Sequence, residues 1–348
     1  MNPTIVDIAK RTGFSISTVS RVLHGGDQRY KISDETSVLI RQAAVSLGYT
    51  PNKVARGLRL QRTHQIGVIV ADVSNPFFSQ VVKAVSQEAR KAGYSILVCD
   101  ANESTQLETE SLKVLMENRV DGLLVAGVGQ NSASLQRIRA QGLPLVVLDR
   151  LFDDLSVDAV ASDSFRGAYA VISYLIREGH RKIAIIQGLR GTFVNEERLR
   201  GYRQALEDAG INVEPCYAVG HDFGTVNGYL ETKALLHIAD PPTAIFTVND
   251  TIALGALEAL RQERWKVPED MSLVTFDDPA FAASVSPPLT AVAQPVDKMG
   301  EIGLKLLLRR MRERTTEPRR ILLEPRLIIR ESVSRPAQKS RPAPYYTP

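Results

Sequence analysis

The sequence predicts two structural classes in one chain. The N-terminal part is predicted to be an all-α head with a helix-turn-helix, and the rest an α/β core of two doubly wound parallel-sheet subdomains. Residues 4–49 contain three short stretches with the apolar spacing of helices. From residue 65 onward, short Val/Ile/Leu runs alternate with amphipathic helical stretches, a pattern typical of strands that are buried on both faces. A length of 348 residues allows two or three domains of ordinary size.

The spacing from Asp7 to Leu23 is that of a helix-turn-helix. The first predicted helix, TIVDIAKRT, ends at Gly13, which can take the left-handed turn between two helices because it has no Cβ. Ala9 is small enough to let the next helix cross closely. Ser15 then begins the second helix, since a serine hydroxyl can accept a hydrogen bond from a backbone N–H of the first turn.

The second helix, within GFSISTVSRVL, has two faces of different character. Val19 and Val22 are predicted to be buried, which leaves an outer face of four residues: Ile16, Ser17, Ser20 and Arg21. Such a face suits a helix that enters the major groove of DNA. There Arg21 can donate two hydrogen bonds to guanine O6 and N7, Ile16 can contact a thymine methyl, and Ser17 can read either base. Thr4, Thr18 and Ser20, with nearby backbone amides, are expected to hold phosphates, and Ser15 belongs to the same predicted DNA-binding set.

A second interpretation of this stretch is a generic three-helix packing unit whose serine face is solvated. The charge distribution favours contact with a polyanion instead. Residues 1–63 contain ten Lys/Arg and four Asp/Glu, so they carry +6, while the remaining 285 residues sum to −2.

The third predicted helix follows ISDE, where Ser33 can cap and the two acids suit the positive end of the helix dipole. Pro51 ends this region because the residue before a proline is disfavoured in a helix. The predicted head therefore covers residues 1–50, and a hinge helix or linker covers residues 51–63.

Nine apolar runs are the predicted strands of the core: IGVIVAD, SILVCDA, DGLLVAG, PLVVLDR, AVASDS, KIAIIQG, AIFTVND, MSLVTFDD and TAVAQPV. About five precede residue 163, which indicates two similar halves with a ligand cleft between them. VDKMGEIGLKLLLRRMRE is predicted to cross back as a helix, and RRILLEPRLIIRES as a broken strand. The predicted limits are 64–162 with 293–321 for the N-subdomain, 163–292 with 322–332 for the C-subdomain, and 333–348 for a disordered tail.

TIVDIAKRTGFSISTVSRVL and GYTPNKVARGL, with the core that follows them, resemble the lactose-repressor (LacI/GalR) family of bacterial transcription regulators. The resemblance extends from Thr4 to about Ser332, in the order of the family. It implies a sequence-specific DNA-binding regulator, expected to act as a repressor, and a core like that of periplasmic sugar-binding proteins. One departure is that the connection HGGDQRYKIS, between the second and third helices, is longer than is usual in the family.

The resemblance also implies a role for the hinge, which in the family becomes helical on DNA beside that of its dimer mate. Leu58 matches the wedge that the family inserts into the minor groove, and Ala55 and Asn52 match neighbouring contacts. Lys53 and His24 are expected to contact phosphates. Paired hinges imply a homodimer and a pseudo-palindromic operator in double-stranded DNA. The alternative is an ordinary linker whose Leu58 docks on the core.

Polar and aromatic side chains stand near the ends of the predicted strands, where the related sugar-binding proteins hold their ligands. The set resembles the pocket of ribose-binding-protein relatives: Asn75, Phe77, Phe78, Asp149, Arg150, Arg198, Asn249, Asp277 and Gln294. Acids, amides and arginines beside aromatic faces are suited to hydroxyls on an apolar ring. The predicted effector is therefore a monosaccharide or sugar acid, with a ribose-like pentose first. Each residue also has a structural alternative: core packing for the phenylalanines, a helix cap for Asp277 and a salt bridge between Asp149 and Arg150.

The sequence contains no catalytic constellation, no metal-ligand spacing among its five histidines, and neither the Rossmann nor the P-loop glycine pattern. Neither an enzyme, a metal nor a cofactor is therefore predicted. The two cysteines, the N-terminal composition and the absence of a long apolar run favour a cytoplasmic protein that associates with DNA and not with membranes. The alternatives are a solute-binding component of sugar transport, and a regulator of the same family that answers to a purine or a partner protein. An enzyme is a distant third.

Overall fold

The computed structural model describes residues 3–23, 27–49, 62–313 and 317–336. Contacts between residues divide the chain into two compact units, Met1–Thr63 and His64–Pro348. In the described ranges, none of the helices combines the length and the apolar character that a membrane span requires.

The first unit contains the three predicted helices: α1 (Ile5–Thr12), α2 (Ile16–Leu23) and α3 (Asp34–Ser46). Each helix contributes a fully buried side chain to a shared core, namely Ile8, Val19 and Ile40. Gly13 has a φ of 74°, and its N–H bonds to the Ala9 carbonyl at 2.9 Å. The chain therefore leaves α1 through the left-handed turn that the sequence predicts.

The second unit begins with a six-stranded sheet. Its strands are β1 (Gln65–Val70), β2 (Ser95–Asp100), β3 (Gly122–Ala126), β4 (Leu145–Leu148), β5 (Asp158–Ser162) and β11 (Arg320–Leu323). Its helices are α4 (Pro76–Lys91), α5 (Thr105–Glu117), α6 (Ala133–Ala140) and α11 (Val296–Arg312). The order along the sheet is β2-β1-β3-β4-β5-β11 and all neighbouring strands are parallel. Alternate residues, such as Val68 and Ile69, belong to two different apolar clusters, as expected for a sheet covered on both faces.

A second sheet repeats this arrangement. Its strands are β6 (Ile183–Ile186), β7 (Ala218–Val219), β8 (Ala244–Thr247), β9 (Ser272–Phe276), β10 (Thr290–Ala293) and β12 (Arg326–Ile328). Its helices are α7 (Ser164–Arg177), α8 (Phe193–Asp208), α9 (Thr225–His237) and α10 (Asp250–Gln262), with short 3₁₀ turns at Pro215–Tyr217 and Ala280–Ala283. The order is β7-β6-β8-β9-β10-β12, and only β12 runs antiparallel to its neighbour. The two doubly wound sheets confirm the predicted fold class.

The chain passes from one sheet to the other three times. It crosses after β5, between β10 and α11, and between β11 and β12. The predicted limit between residues 321 and 322 falls inside β11, which pairs with β5 through Leu323, so the last crossing lies between Leu323 and Arg326. The reason is that the loop after Leu323, and not the strand itself, is where the backbone leaves the first sheet.

The predicted disordered tail also begins too early. The Ser334 N–H donates to Ser272 Oγ at 3.1 Å, and Ser334 Oγ donates to the Pro268 carbonyl at 2.9 Å. These bonds attach residues 333–336 to the second sheet. Residues 337–348 lie outside the described part of the chain.

Candidate DNA-reading helix and effector cleft

The predicted DNA-reading helix α2 begins in a cluster of hydroxyl groups. Ser15 Oγ accepts a hydrogen bond from the Thr18 N–H at 3.1 Å, so Ser15 caps the helix. The Ser15 hydroxyl also lies 2.8 Å from Ser17 Oγ and 2.9 Å from Thr18 Oγ1. Thr4 begins α1 in a comparable way, because its N–H and its hydroxyl both donate to the Asp7 carboxylate, and these bonds lower the pKa of Asp7. The predicted hydroxyl contacts are thus concentrated at helix starts, where backbone N–H groups also point outward.

The two faces of α2 are arranged as the sequence predicts. Val19 and Val22 are buried in the core of the head. Four side chains form the outer face, all exposed except the half-buried Ser20: Ile16, Ser17, Ser20 and Arg21. The Arg21 guanidinium lies over the Tyr30 ring, with Cζ 4.1 Å from the ring centroid. The outer face therefore combines an apolar side chain, hydroxyl groups and a cation held against an aromatic ring.

The other predicted DNA contacts fall on residues that the structure does not describe: His24, Asn52, Lys53, Ala55 and Leu58. Their roles stay predictions.

Three of the candidate effector residues of the second unit lie just after strands of the two sheets. Asp149 follows β4 in the first sheet, whereas Asn249 follows β8 and Asp277 follows β9 in the second. Both Asp149 and Asp277 have a positive φ, 64° and 72° respectively. Ligands of doubly wound sheets bind outside these carboxyl ends.

Asp149 and Arg150 are buried neighbours with different partners. Arg150 donates through both Nη atoms to the Glu103 carboxylate at 2.5 Å, and through Nη1 to the Val128 carbonyl at 2.8 Å. Burial raises the pKa of Asp149 to about 6, although the positive charges of Arg198 and Arg150 oppose this shift. The buried guanidinium of Arg150 is therefore already paired with the Glu103 carboxylate.

Arg198 projects from α8 into the same region. Its guanidinium lies over the Phe276 ring, 3.7 Å from the centroid, and its Nη1 donates to the Val248 carbonyl at 2.6 Å. Gln294 Nε2 donates to Asp277 Oδ1 at 2.6 Å. Burial raises the pKa of Asp277 and lowers that of Arg198, while the attraction between the two charges opposes both shifts.

Five buried polar atoms in this region have no hydrogen-bond partner among the described residues. They are Asp149 Oδ1, Arg150 Nε, Arg198 Nε, Asp250 Oδ2 and Gln294 Oε1. Three of them are acceptors and two are donors. Because a hydroxyl group both donates and accepts, a molecule with several hydroxyls can satisfy both kinds.

A cavity of about 80 Å³ is lined by two of these five residues, Asp250 and Gln294. Its lining includes Phe77, Asp250, Asp277 and Gln294. Pockets for small molecules usually measure about 300–1,000 Å³. The cavity as it stands is therefore smaller than the usual pocket for a small molecule.

The two asparagines of the predicted set also have structural roles. Asn75 Oδ1 accepts from the Phe77 N–H at 2.8 Å and caps α4, while its Nδ2 donates to Thr251 Oγ1 at 3.3 Å and so joins the two subdomains. Asn249 Oδ1 accepts from the Ile252 N–H at 2.8 Å and caps α10, and its Nδ2 donates to a backbone carbonyl at 3.0 Å. Their amides therefore fix the rim of the cleft.

The two phenylalanines are largely core residues. Phe77 and Phe78 are 6% and 3% exposed, and their rings meet edge to face with centroids 5.1 Å apart. Both belong to an apolar cluster of the first sheet. Phe77 still lines the cavity, and the Phe78 ring lies 5.4 Å from the Arg150 guanidinium. Core packing accounts for most of their burial and leaves one edge of the pair toward the cleft.

Sequence reasoning missed Asp250, which lines the cavity, and two acids near Arg150, Glu103 and Glu108. Asp250 is 1% exposed, and burial together with the charge of Asp277 raises its pKa to about 7. Glu103 holds Arg150, and the buried Glu108 accepts from the Val128 N–H at 2.7 Å, with burial raising its pKa. Asp250 could have been predicted because Asn249 and Asp250 directly follow the apolar run of β8. Glu103 could have been predicted because it lies just after β2. Glu108 lies within an ordinary helix, and no sequence pattern indicated it.

Comparison with known proteins matches both units. Residues 4–52 match the family described as "Bacterial regulatory proteins, lacI family", and residues 172–333 match the "Periplasmic binding protein-like domain". The chain is 36% identical over 331 residues to the ribose operon repressor of Haemophilus influenzae, covering 95% of this chain and 98% of that protein.

Two solved structures are similar along most or all of their length. The lac repressor dimer bound to operator and the anti-inducer ONPF has a TM-score of 0.86 and 26% identity, over 96% of this chain and 100% of that one. A LacI family transcriptional regulator from Enterococcus faecium with bound ribose has a TM-score of 0.70 and 29% identity, over 78% of this chain and 99% of that one. The chain therefore belongs to the lacI family of bacterial regulatory proteins and is a DNA-binding transcriptional regulator with a periplasmic binding protein-like core.

Proposed function

We propose that the chain is a homodimeric repressor that binds a pseudo-palindromic operator, and that a neutral monosaccharide in the cleft controls its DNA affinity. The first candidate effector is ribose or a similar pentose. The observation that carries the proposal is the set of five buried donor and acceptor atoms around the cleft that lack partners among the described residues. The similarity to a ribose operon repressor and to a regulator with bound ribose supports the choice of sugar. The proposed activity is binding without catalysis, in the cytoplasm where the operator lies.

Charge favours a neutral sugar over a sugar acid. Arg150 is engaged by Glu103 through two hydrogen bonds of 2.5 Å, so an anionic ligand has to displace a carboxylate before it can pair with this arginine. Asp149, Asp250 and Asp277 place further buried acids around the cleft. A sugar acid therefore meets more repulsion there than a neutral pentose of the same size.

Control of DNA binding is proposed to follow from bending of the core. A ligand that bridges Asp149 on the first sheet and Asp277 on the second favours one relative position of the two subdomains. In a dimer this changes the spacing of the two chains ahead of residue 64, and with it the segment at residues 52–60. A few kcal/mol of differential affinity suffices, because about 1.4 kcal/mol corresponds to a factor of ten.

The effector is tested by thermal unfolding of the full chain with D-ribose, other neutral pentoses and hexoses, D-ribonate and purine bases. We expect a neutral pentose to raise the melting temperature of the core most. Asp277→Asn should abolish this shift and the effector response in a gel shift, while it leaves operator binding intact. Asp240→Asn is the matched control, because Asp240 is 65% exposed in a pair with Lys182.

Three outcomes contradict parts of this assignment. A shift with purines alone supports the purine alternative, and a larger shift with ribonate than with ribose overturns the charge argument. Loss of both effector and operator binding in Asp277→Asn means that Asp277 is structural.

The DNA assignment is tested by selection of binding sites from randomised duplexes, followed by affinity measurements. Arg21→Ala should relax the preference at one base pair of each half-site, whereas Lys53→Ala should weaken all DNA about equally. A full chain that binds ribose and enriches no DNA site supports the solute-binding alternative.

A further inference from the structure

Residues 27–32 form an ordered turn within the connection between α2 and α3, which is longer than is usual in the family. The Ile32 N–H bonds to the Asp27 carbonyl at 3.0 Å, and the Asp27 carboxylate pairs with Arg41 of α3 at 2.6 Å. Ile32 packs against the apolar core of the head. Hydrogen bonds, an ion pair and an apolar contact therefore hold residues 27–32 in one place.

This turn brings an aromatic ring to the outer face of the DNA-reading helix. Tyr30 is 48% exposed, and the Arg21 guanidinium lies over its ring, with Cζ 4.1 Å from the ring centroid. Stacking uses the face of the guanidinium and leaves its N–H edge free in the plane. That edge is what donates to guanine O6 and N7, so a stacked arginine can still read a base.

Stacking also limits the conformations of a long side chain. A free arginine loses considerable rotamer freedom when it binds, and a side chain that is already held loses less. Tyr30 thus acts on the base contact through Arg21, without needing to contact the base.

We propose that Tyr30, presented by the turn at residues 27–32, is a positioning residue that orients Arg21 and thereby sets how strongly the protein discriminates at the base pair that Arg21 reads. The proposal rests on the proposed function, in which Arg21 contacts a base. It makes the extended turn a determinant of operator specificity.

The test uses the full-length chain and the operator that it selects from randomised DNA. Selection with Arg21→Ala identifies the base pair whose preference depends on Arg21. Fluorescence anisotropy at one fixed salt concentration then gives the affinity of each variant for this operator and for the operator changed at that base pair in both half-sites. The ratio of the two affinities is the readout, because a purely structural or phosphate-binding role moves both affinities together.

Tyr30→Ala should lower this ratio about four- to twenty-five-fold, which corresponds to two- to five-fold for each copy of the stack. Tyr30→Phe keeps the ring and should keep the ratio, whereas Tyr30→Leu keeps the bulk without the ring and should behave like Tyr30→Ala. In Arg21→Ala, the additional change Tyr30→Ala should have no further effect on the ratio.

Several outcomes overturn the proposal. An affinity ratio that is unchanged in both Tyr30→Ala and Tyr30→Leu overturns it, and so does an equal loss of affinity for both duplexes. It is also overturned if Arg21→Ala and Tyr30→Ala each lower the ratio independently, so that their effects multiply in the double variant. If Tyr30→Ala unfolds the head, Tyr30→Leu decides alone. Failure of the DNA assignment itself is distinct, because the wild-type chain then selects no operator.

Discussion

Asp250 lies in the first turn of α10, beside the carboxyl group of Asp277. Burial and this neighbouring charge raise the pKa of Asp250 to about 7, and burial raises that of Asp149 to about 6. An aspartate in an unfolded chain titrates near pH 4. Between about pH 4 and pH 7 these two carboxyl groups therefore bind more protons in the folded chain than in the unfolded chain, so their contribution to the free energy of unfolding falls as the pH rises through this interval. The cleft is least favourable for stability above pH 7, where both carboxyl groups are charged.

Asp250→Asn should remove part of this dependence. At pH 8 the wild-type Asp250 is charged and the asparagine is neutral, so we expect the melting temperature of the variant to be a few degrees higher. At pH 4.5 both side chains are neutral, and most of this difference should disappear. The measurement is the difference in melting temperature between the two proteins from pH 4.5 to pH 8, without effector. Asp240→Asn, at an exposed ion pair, should show no such trend. A constant difference across the range contradicts the assigned cause.

At the scale of single residues, the sequence predicts which side chains follow a strand better than it predicts their hydrogen-bond and ion-pair partners. Phe77, Asp277 and Gln294 of the predicted set line the cavity. The end of a buried strand can be read from an apolar run that stops at a polar residue, and the contacts of the set with an effector stay a prediction. Their partners depend on residues far apart in the chain. Arg150 pairs with Glu103, 47 positions away, and Asn75 bonds to Thr251, 176 positions away. The long-range choice among several nearby acids was not encoded in any local pattern.

Among the elements, helix starts were the easiest to locate. Ser15 and Ser33 each accept a bond from the N–H three residues later, so local hydrogen bonding fixes where α2 and α3 begin. Two strands were harder. β7 has only Ala218–Val219 and therefore no apolar run, and the single predicted broken strand became β11 and β12, which pair with different sheets. A pattern of period two cannot say which sheet a strand joins.

The start of β5 shows how an element is anchored by distant charges. Asp158 is fully buried, and its carboxylate accepts from Arg309 and Arg310 of α11 at 2.8–3.0 Å and from the Arg319 N–H at 2.8 Å. These bonds tie α11 and the approach to β11 to the start of β5. A buried carboxylate of this kind is costly unless all its partners are present.

Asp158→Asn should therefore lower the free energy of unfolding of the core by about 3 kcal/mol, because two largely buried arginines lose their counter-charge. Asp153→Asn is the control, since Asp153 is 91% exposed in its pair with Arg320, and its loss should cost less than about 1 kcal/mol. Urea unfolding followed by circular dichroism gives both values. Equal effects of the two substitutions contradict this account of how β5 and α11 are held together.

In the whole molecule, each unit has an apolar core of its own. The core of the head is centred on Ile8, Val19 and Ile40, and the clusters of the second unit share no residue with it. A unit with its own core can unfold on its own.

Heating should thus produce two unfolding transitions, and the effector should raise only the second. At a concentration 100 times its Kd, a ligand that binds only the folded core stabilises it by about 2.7 kcal/mol. Differential scanning calorimetry of the full chain, with and without ribose, separates the two events. A single transition that moves as one with ribose contradicts independent units.

Three short backbone segments, the strips, connect the two sheets at the crossings described above. Ser162 is paired with Leu323 on one side, and Ala293 with Arg326 on the other, so the strips lie next to one another and not at separate corners. A single strip would allow the two subdomains to rotate about any axis. Three adjacent strips restrict them to rotation about one hinge axis and resist twisting. Lengthening one strip by a few residues should tilt this axis. The rotation of the two subdomains should therefore tolerate substitutions within the strips far better than a change in the length of one strip.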